Sequence, residues 1–250
     1  MQPYLSVVIP SYNEMKNIKR NVLDEVVDYL KQQDYSWEVL LSDDGSTDGT
    51  TEELKKFADK HKNVEVVENI HAGKGPTVQS GMLKAKGKWI LFSDFDQSTP
   101  LKEIEKLFKY KDNYQVIIGS REIQGAKRDK EPLHRHIMGK GFNFLVQVLA
   151  IPGIYDTQCG FKVFSDQASK DIFSNLVVYG RGEERSDAFT GAFDVEALFL
   201  ARKNNLKIKE VPIIWHHNET DRVSPIKDSI RMLADIIKVR IANLLGKYSK

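Results

Sequence analysis

ILFSDFDQSTP, residues 90–100, is the stretch on which the fold of this chain turns. Ile90, Leu91 and Phe92 form a short apolar run with the character of a buried strand, and it breaks into polar residues with Asp94 and Asp96 two apart. In an extended segment side chains alternate, so residues at i and i+2 face the same way. Two carboxylates on one side at a strand's C-terminal end suit a hard divalent cation that also holds phosphate oxygens. Open α/β sheets gather their ligands at that end. Asp-x-Asp alone also fits a solvated loop, so the weight falls on what surrounds it.

Outward from this stretch the chain alternates apolar runs with helical patterns. Leu5 to Ile9 reads as a first strand stopped by Pro10, and a helix to about Gln32 follows, with Ile18, Val22, Val26 and Leu30 at helical spacing. Trp37 to Leu41 is a second strand; it ends in SDDGSTDGT (42–50), where Asp48 is placed to cap a helix through Leu54 and Phe57. Val64 to Val67 is a third, followed by the loop HAGKG (71–75), Trp89 to Ser93 a fourth, and Val116 to Ile118 a fifth, ending in GSR. Strands alternating with helices predict a mainly parallel sheet with right-handed crossovers.

The second half is less regular. Gly125 to Glu131 is a charged loop, Leu133 to Leu149 reads as a helix, and DTQCGFKVF (156–164) leads into a short strand. Gly180 to Gly191 is polar and glycine-rich, a loop of the kind found near sites. Phe193 to Asn204 is a helix and Ile208 to Trp215 a strand. The expected organisation is one α/β domain over 1–225 and an amphipathic helix over 226–250. Ile226, Ile230, Leu233, Ile237, Ile241 and Leu244 make one stripe of that helix, flanked by Lys227, Arg231 and Lys238. Two expectations stand for it: a terminal helix packed on the domain, or a basic amphipathic surface on anionic lipid.

Bulk properties narrow the classes. The chain has 250 residues, 41% apolar and 29% charged, with a net charge of +2, which gives no electrostatic case for nucleic acid. Its one cysteine, Cys159, excludes an internal disulfide framework and fits a reducing compartment. The first residues show no secretory signal, and no run approaches the roughly 18 apolar residues that span a bilayer. Cys159 reads as a small buried residue, and His216 with His217 lacks a partner at ligand spacing.

Nearly every predicted strand delivers useful polar residues to one sheet edge. Strand one brings Ser11, Tyr12, Asn13 and Glu14, strand two Asp43 and Asp44, strand four Asp94 and Asp96, and strand five Arg121. Lys74, between two glycines, is placed to reach an anionic ligand. Carboxylates, a lysine, an arginine and glycine-rich backbone at one crevice describe a nucleotide-diphosphate site with a metal.

The motifs VVIPSYNE, SDDGSTDGT, HAGKG, DFDQSTP and GSR resemble those of family 2 glycosyltransferases, which have the GT-A fold. QSTP, LHRHIMGKGFN (133–143), DTQCGFKVF, AFDVE (192–196) and EVPIIW (210–215) narrow the resemblance to the polyprenyl-phosphate branch, above all to the dolichyl-phosphate β-glucosyltransferases. The resemblance covers nearly the whole chain. It implies a Rossmann-like, mainly parallel sheet and inverting, metal-dependent transfer of a hexose, glucose from UDP-glucose in the first place, to a polyprenyl phosphate. It implies a peripheral protein on the cytoplasmic face of a membrane. The alternatives are a sugar hydroxyl acceptor in surface polysaccharide synthesis, or GDP-mannose as donor.

The same resemblance assigns roles. Pro10, Tyr12 and Glu14 would line the base and ribose, Asp44 would read the uracil edge or ribose, and Asp94 and Asp96 would hold Mg²⁺ or Mn²⁺, with Ser98 beside them. Lys74 would serve the donor, Arg222 would close over the diphosphate, and Arg121 and Arg135 would receive the acceptor phosphate. A phosphate monoester, with a second pKa of about 6, is already largely a dianion near neutrality. It needs placing more than deprotonating, so Asp194 is expected to be positional, whereas a hydroxyl acceptor would make it the general base. Three positions depart from the relatives: Gln79 where many carry arginine, Phe95 where alanine is usual, and Gly191 where a bulky aromatic is common.

Overall fold

The computed structural model describes residues 2–129, 147, 151–180, 191–218 and 225–248, and for 225–229 the backbone alone. Arg135, Arg222, His134, His136 and nearly all of the 133–149 and 180–191 segments lie outside the described residues.

Seven strands form the central sheet in the order β3-β2-β1-β4-β7-β5-β8. They are β1 (Leu5–Ser11), β2 (Trp37–Asp43), β3 (Val64–Glu68), β4 (Trp89–Ser93), β5 (Val116–Ser120), β7 (Phe161–Ser165) and β8 (Ile208–Pro212). β1 pairs in parallel with β2 and β4, β2 with β3, and β5 with β8. The sheet is therefore mainly parallel, as the alternating pattern predicts. The exception is β7, which runs antiparallel to both β4 and β5 and separates them. Two short strands, β6 (Lys127–Arg128) and β9 (Ile214–Trp215), pair apart from this sheet.

The first strand does not stop at Pro10. It continues to Ser11, whose carbonyl accepts from Asp44 N. Ser11 thus faces β2, and the missing N–H of Pro10 falls on the β4 side, past the last β1–β4 pair at Val8–Phe92. The expected first helix is two helices, α1 (Met15–Ile18) and α2 (Val22–Lys31), separated at Asn21, which takes a left-handed φ of 60°. The expected strand over 208–215 changes sheet after Pro212, so its ends belong to β8 and β9.

Both faces of the sheet are covered, which is why its strands read as near-continuous apolar runs. Leu5, Val7, Ile9, Leu91 and Val163 pack with Val22, Val26 and Leu30 of α2. Val8, Leu40, Ile90 and Phe92 pack on the other side with α4 (Lys74–Lys84), α6 (Asp166–Phe173), α7 (Phe193–Lys203) and α8 (Pro225–Leu244). The described residues also form α3 (Thr50–Lys60) and the short α5 (Ile104–Phe108).

Helix α8 packs on the domain by a face other than the stripe read from the sequence. Ile236, Val239 and Ala242 are the buried side, whereas Ile230, Ile237, Ile241 and Leu244 of the sequence stripe are exposed. The helix is fixed by Tyr179 Oη donating to Asp235 at 2.5 Å and, beyond its end, by Tyr248 Oη donating to Glu196 at 2.6 Å.

Candidate active site

With β2 on one side of β1 and β4 on the other, strand order reverses at β1, and the crevice past the ends of β1 and β4 is the ligand position of such sheets. Tyr12 lies on one wall, its ring stacked on His71 at 4.2 Å between centroids and 6° between planes. His71 is held in turn by Asp44, Nδ1 to Oδ2 at 2.9 Å. Ala72 N, Gly73 N and Thr77 Oγ1 also donate to the Asp44 carboxylate. Asp44 is buried, and its oxygens are spent on the 71–74 loop. A role for it as acceptor to uracil or ribose would require displacing one of these donors; its evident work is to fix the loop that carries Lys74. Asp43 does the same for the neighbouring turn, accepting from Ser11 Oγ, Ser46 N and Oγ, and Thr51 Oγ1.

The Asp44 arrangement has a measurable consequence. Asp44→Asn replaces an acceptor-only group with one that donates on one side, leaving at least one buried N–H without a partner. The expected loss is about 1–3 kcal/mol of stability, read by urea unfolding, with weaker UDP affinity from the loosened loop.

Asp94 and Asp96 are placed by a turn rather than by strand alternation, because β4 ends at Ser93. Ser98 orients Asp96, donating its N to Oδ1 and its Oγ to Oδ2, both at 2.9 Å. Asn218 Nδ2 then reaches both Ser98 Oγ and the Asp96 carbonyl. Lys74 Nζ donates to Asp94 Oδ1 at 2.6 Å. Burial, and then the neighbouring Asp94 charge, push the Asp96 carboxyl above the usual carboxylate range. A divalent cation between the two would relieve that repulsion, so the donor set fits a hard metal. Among the described residues no cluster of three or more His, Cys, Asp or Glu forms a complete metal cage. Phosphate oxygens would have to complete the coordination, as is usual for Mg²⁺.

Past β5 and before β7 lies a third group. Arg121 donates Nε and Nη2 to Asp156 at 2.8 Å each, and its backbone N also reaches Asp156 Oδ2 at 2.8 Å. Burial alone would raise the Asp156 carboxyl, but Arg121 holds it below the ordinary value. The guanidinium lies over the Trp215 ring at 5.6 Å. Its Nη1 edge takes no part in the pair with Asp156, so that edge is what Arg121 can offer a phosphate.

In β7, Lys162 is opposite Phe92 and only 1% exposed; its Nζ donates to Asp194 Oδ1 at 2.5 Å and to the Cys159 carbonyl. Asp194, in the first turn of α7, is pushed up by burial against the pull of Lys162. It is a paired carboxylate. Lys74, Asp94, Asp96 and Asp194 are electrostatically coupled, as are Arg121, Asp156 and Cys159. Burial pushes the Cys159 thiol to about 12, so it carries no thiolate chemistry.

The fold thus brings Pro10, Tyr12, Glu14, Asp44, Lys74, Asp94, Asp96, Ser98, Arg121 and Asp194 to the end of one sheet. Asp156, Lys162 and His71 were not singled out from the sequence. The first two sit in DTQCGFKVF, a motif used for resemblance but not for roles. The three departures are accommodated: Gln79 donates to the Phe173 carbonyl at 2.6 Å, Phe95 is buried in the core, and a Cβ on Gly191 would meet the Tyr179 ring at 2.5 Å.

A switch-point sheet with paired aspartates, a lysine loop and an arginine on its ligand edge fits a nucleotide-sugar-dependent glycosyltransferase of the GT-A type. The description Glycosyl transferase family 2 matches residues 6–173, and the chain belongs to that family. It is 33% identical over 97% of its length to the dolichyl-phosphate β-glucosyltransferase of Dictyostelium discoideum, covering 76% of that protein. The enzymes of the same name from Saccharomyces cerevisiae and Homo sapiens are 35% and 34% identical over 98% of the chain, which covers 76% and 77% of them. Glucosyl-3-phosphoglycerate synthase from Mycobacterium tuberculosis, solved with Mn²⁺, UDP-glucose and phosphoglyceric acid, shares the fold with a TM-score of 0.62 at 18% identity, over 95% of this chain and 79% of that one. A mannosyltransferase from Pyrobaculum calidifontis, solved with GDP-Man and Mn²⁺, gives a TM-score of 0.56 at 18% identity, over 100% of this chain and 74% of that one.

Proposed function

We propose that this chain transfers glucose from UDP-glucose, with inversion, to the phosphate of a polyprenyl lipid such as dolichyl phosphate. The observation that carries the reading is its 33–35% identity to dolichyl-phosphate β-glucosyltransferases over almost its whole length. In this reading Asp94 and Asp96 hold Mg²⁺ or Mn²⁺ together with the donor diphosphate. When bound, the metal supplies positive charge against the charge that develops on the leaving UDP.

The protein's own residues do the positioning. Asp44 fixes the 71–74 loop so that Lys74 stays beside Asp94, Ser98 orients Asp96, and Tyr12, backed by His71, offers a flat face to the base. Arg121, aimed by Asp156, presents its Nη1 edge to the acceptor phosphate. Arg135 as a second acceptor-phosphate arginine and Arg222 as a diphosphate contact are assigned from the family resemblance, since both lie outside the described residues. A lipid phosphate oxygen bonds to the anomeric carbon as the bond to the diphosphate oxygen breaks, and the electron pair leaves with UDP. No proton need be removed first, so Asp194, held by Lys162, has a positional role. The acceptor head group lies at a bilayer surface, so the protein would act as a peripheral protein on a membrane's cytoplasmic face. Among the described residues no helix is long and apolar enough to cross a membrane.

Calorimetry with UDP and GDP, with and without Mn²⁺, followed by a donor screen on a short polyprenyl phosphate, tests the proposal. The expected result is Mn²⁺-dependent UDP binding, lost in Asp96→Ala, and glucosylation of the lipid phosphate but not of soluble saccharides. Transfer to a saccharide hydroxyl with none to lipid phosphate would overturn the acceptor assignment. Metal-independent nucleotide binding would overturn the site.

A further inference from the structure

We infer that the outward face of α8 docks the protein on an anionic lipid bilayer, an inference that rests on the lipid-linked acceptor proposed above. The inner face of the helix is already used: Ile236, Val239 and Ala242 are buried, and Asp235 and Tyr248 tie the segment to Tyr179 and Glu196. The outer face nevertheless carries Ile230, Ile237, Ile241, Leu244 and Leu245, which are 65%, 47%, 50%, 80% and 66% exposed. At 100° per residue the first four fall within an arc of about 60°. The other large apolar side chains exposed among the described residues, Ile70, Leu83 and Tyr155, belong to other segments. Apolar residues scattered singly need no explanation, but a row on one rigid helix marks an interaction surface.

Charge selects the occupant. Arg240 flanks the row on one side; Arg231 and Lys238 flank it on the other, and Lys247 follows the helix. From 230 to 248 the one acidic side chain, Asp235, is buried inward and takes Tyr179 Oη and Lys238 Nζ. An apolar row with basic residues along both seams, and with no acidic side chain but the inward Asp235 over residues 230–248, complements anionic head groups. Lys238 offsets Asp235, Arg240 lies beside the Phe199 ring at the edge of the row, and Lys247 is exposed past its end, while the row enters the acyl boundary. A protein partner would need a surface both apolar and acidic. The position agrees with the site: Gln158 Nε2 donates to Met232 Sδ of α8 at 3.0 Å, and Gln158 lies two residues after Asp156, the anchor of Arg121. The helix that meets the bilayer therefore backs the segment that aims the acceptor-phosphate arginine.

The test is flotation of the full chain with vesicles of phosphatidylcholine plus phosphatidylglycerol, and with phosphatidylcholine alone, at low and high salt. Wild-type protein is expected to float with the anionic vesicles and to be released by salt. Ile237→Glu/Ile241→Glu should weaken binding by about tenfold or more. Arg240→Gln/Lys247→Gln, which leaves the Lys238–Asp235 pair in place, should weaken the preference for anionic lipid, and all three proteins should melt alike and bind UDP with Mn²⁺ equally well. Equal flotation of wild type and the isoleucine variant would overturn the inference. So would a wild-type dimer, seen by light scattering, that the isoleucine variant loses while no vesicle binding occurs. Intact UDP binding alongside either result would leave the donor site standing and reject the docking face alone. Lost UDP binding in wild type would instead reject the proposed function.

Discussion

Alanine at position 160 is expected to lower kcat/KM by about a hundredfold, the scale of loss when a catalytic group is displaced by roughly an ångström. A Cβ on Gly160 would stand 1.8 Å from Asp94 Oδ2 and 2.2 Å from its Cγ. The backbone cannot yield, because Asp94 N donates to the Gly160 carbonyl at 3.0 Å across the β4–β7 pairing. The side chain must therefore swing away. In doing so it leaves Lys74 and the partnership with Asp96 that fits a metal. The change adds one methyl to a flexible carboxylate's space, so the fold should survive it with a nearly unchanged urea midpoint. Mn²⁺-dependent UDP affinity, measured by calorimetry, should fall together with turnover. An alanine variant that binds UDP with Mn²⁺ as wild type does would remove Asp94 from the metal site.

How far the sequence reveals this site follows from the range of the interactions that build it. The parallel strands were legible because both faces of the sheet are covered, leaving apolar runs such as VVI and ILF that local composition displays. The direction of β7 was not legible, since FKVF carries an apolar run but no sign of which way it enters the sheet. Lys162 within it looks like a solvent-facing alternate, and its burial depends on Asp194, 32 residues later. Asp44 was visible as a site residue from its place at a strand end. Its engagement by the 71–74 loop depends on a fold-back of nearly 30 residues that spacing does not encode. In α8 periodicity revealed an apolar stripe, but Ile236 and Val239 supply a second one. The second is the buried one, with Ile236, Val239 and Ala242 in the core and Asp235 bonded to Tyr179 Oη, contacts made by distant segments that periodicity does not display.

The second large effect lies at Lys162 and Asp194. Asp194→Asn is expected to destabilise the protein by about 3–5 kcal/mol, the cost of leaving one member of a buried ion pair without its counter-charge. Lys162 has nowhere to take its charge: it is 1% exposed, its Nζ sits 5.7 Å from the Phe92 ring centroid, and its remaining acceptor is the Cys159 carbonyl. The pair is not itself a source of stability, since burial holds the Asp194 carboxyl above its ordinary range even with the ammonium beside it. Removing both charges should therefore be far cheaper than removing one, and Lys162→Met/Asp194→Leu is expected to unfold in urea near or above the wild-type midpoint. Activity separates the roles that stability cannot. If Asp194 serves only to hold the start of α7 through Lys162, the double variant should retain measurable transfer to a polyprenyl phosphate, with a pH–rate profile of wild-type shape. If it is a base, the double variant should be inactive although fully folded, because no arrangement of the remaining side chains restores a proton acceptor there. An Asp194→Asn protein as stable as wild type would show that Lys162 finds water or another partner, and would take the pair out of the interior.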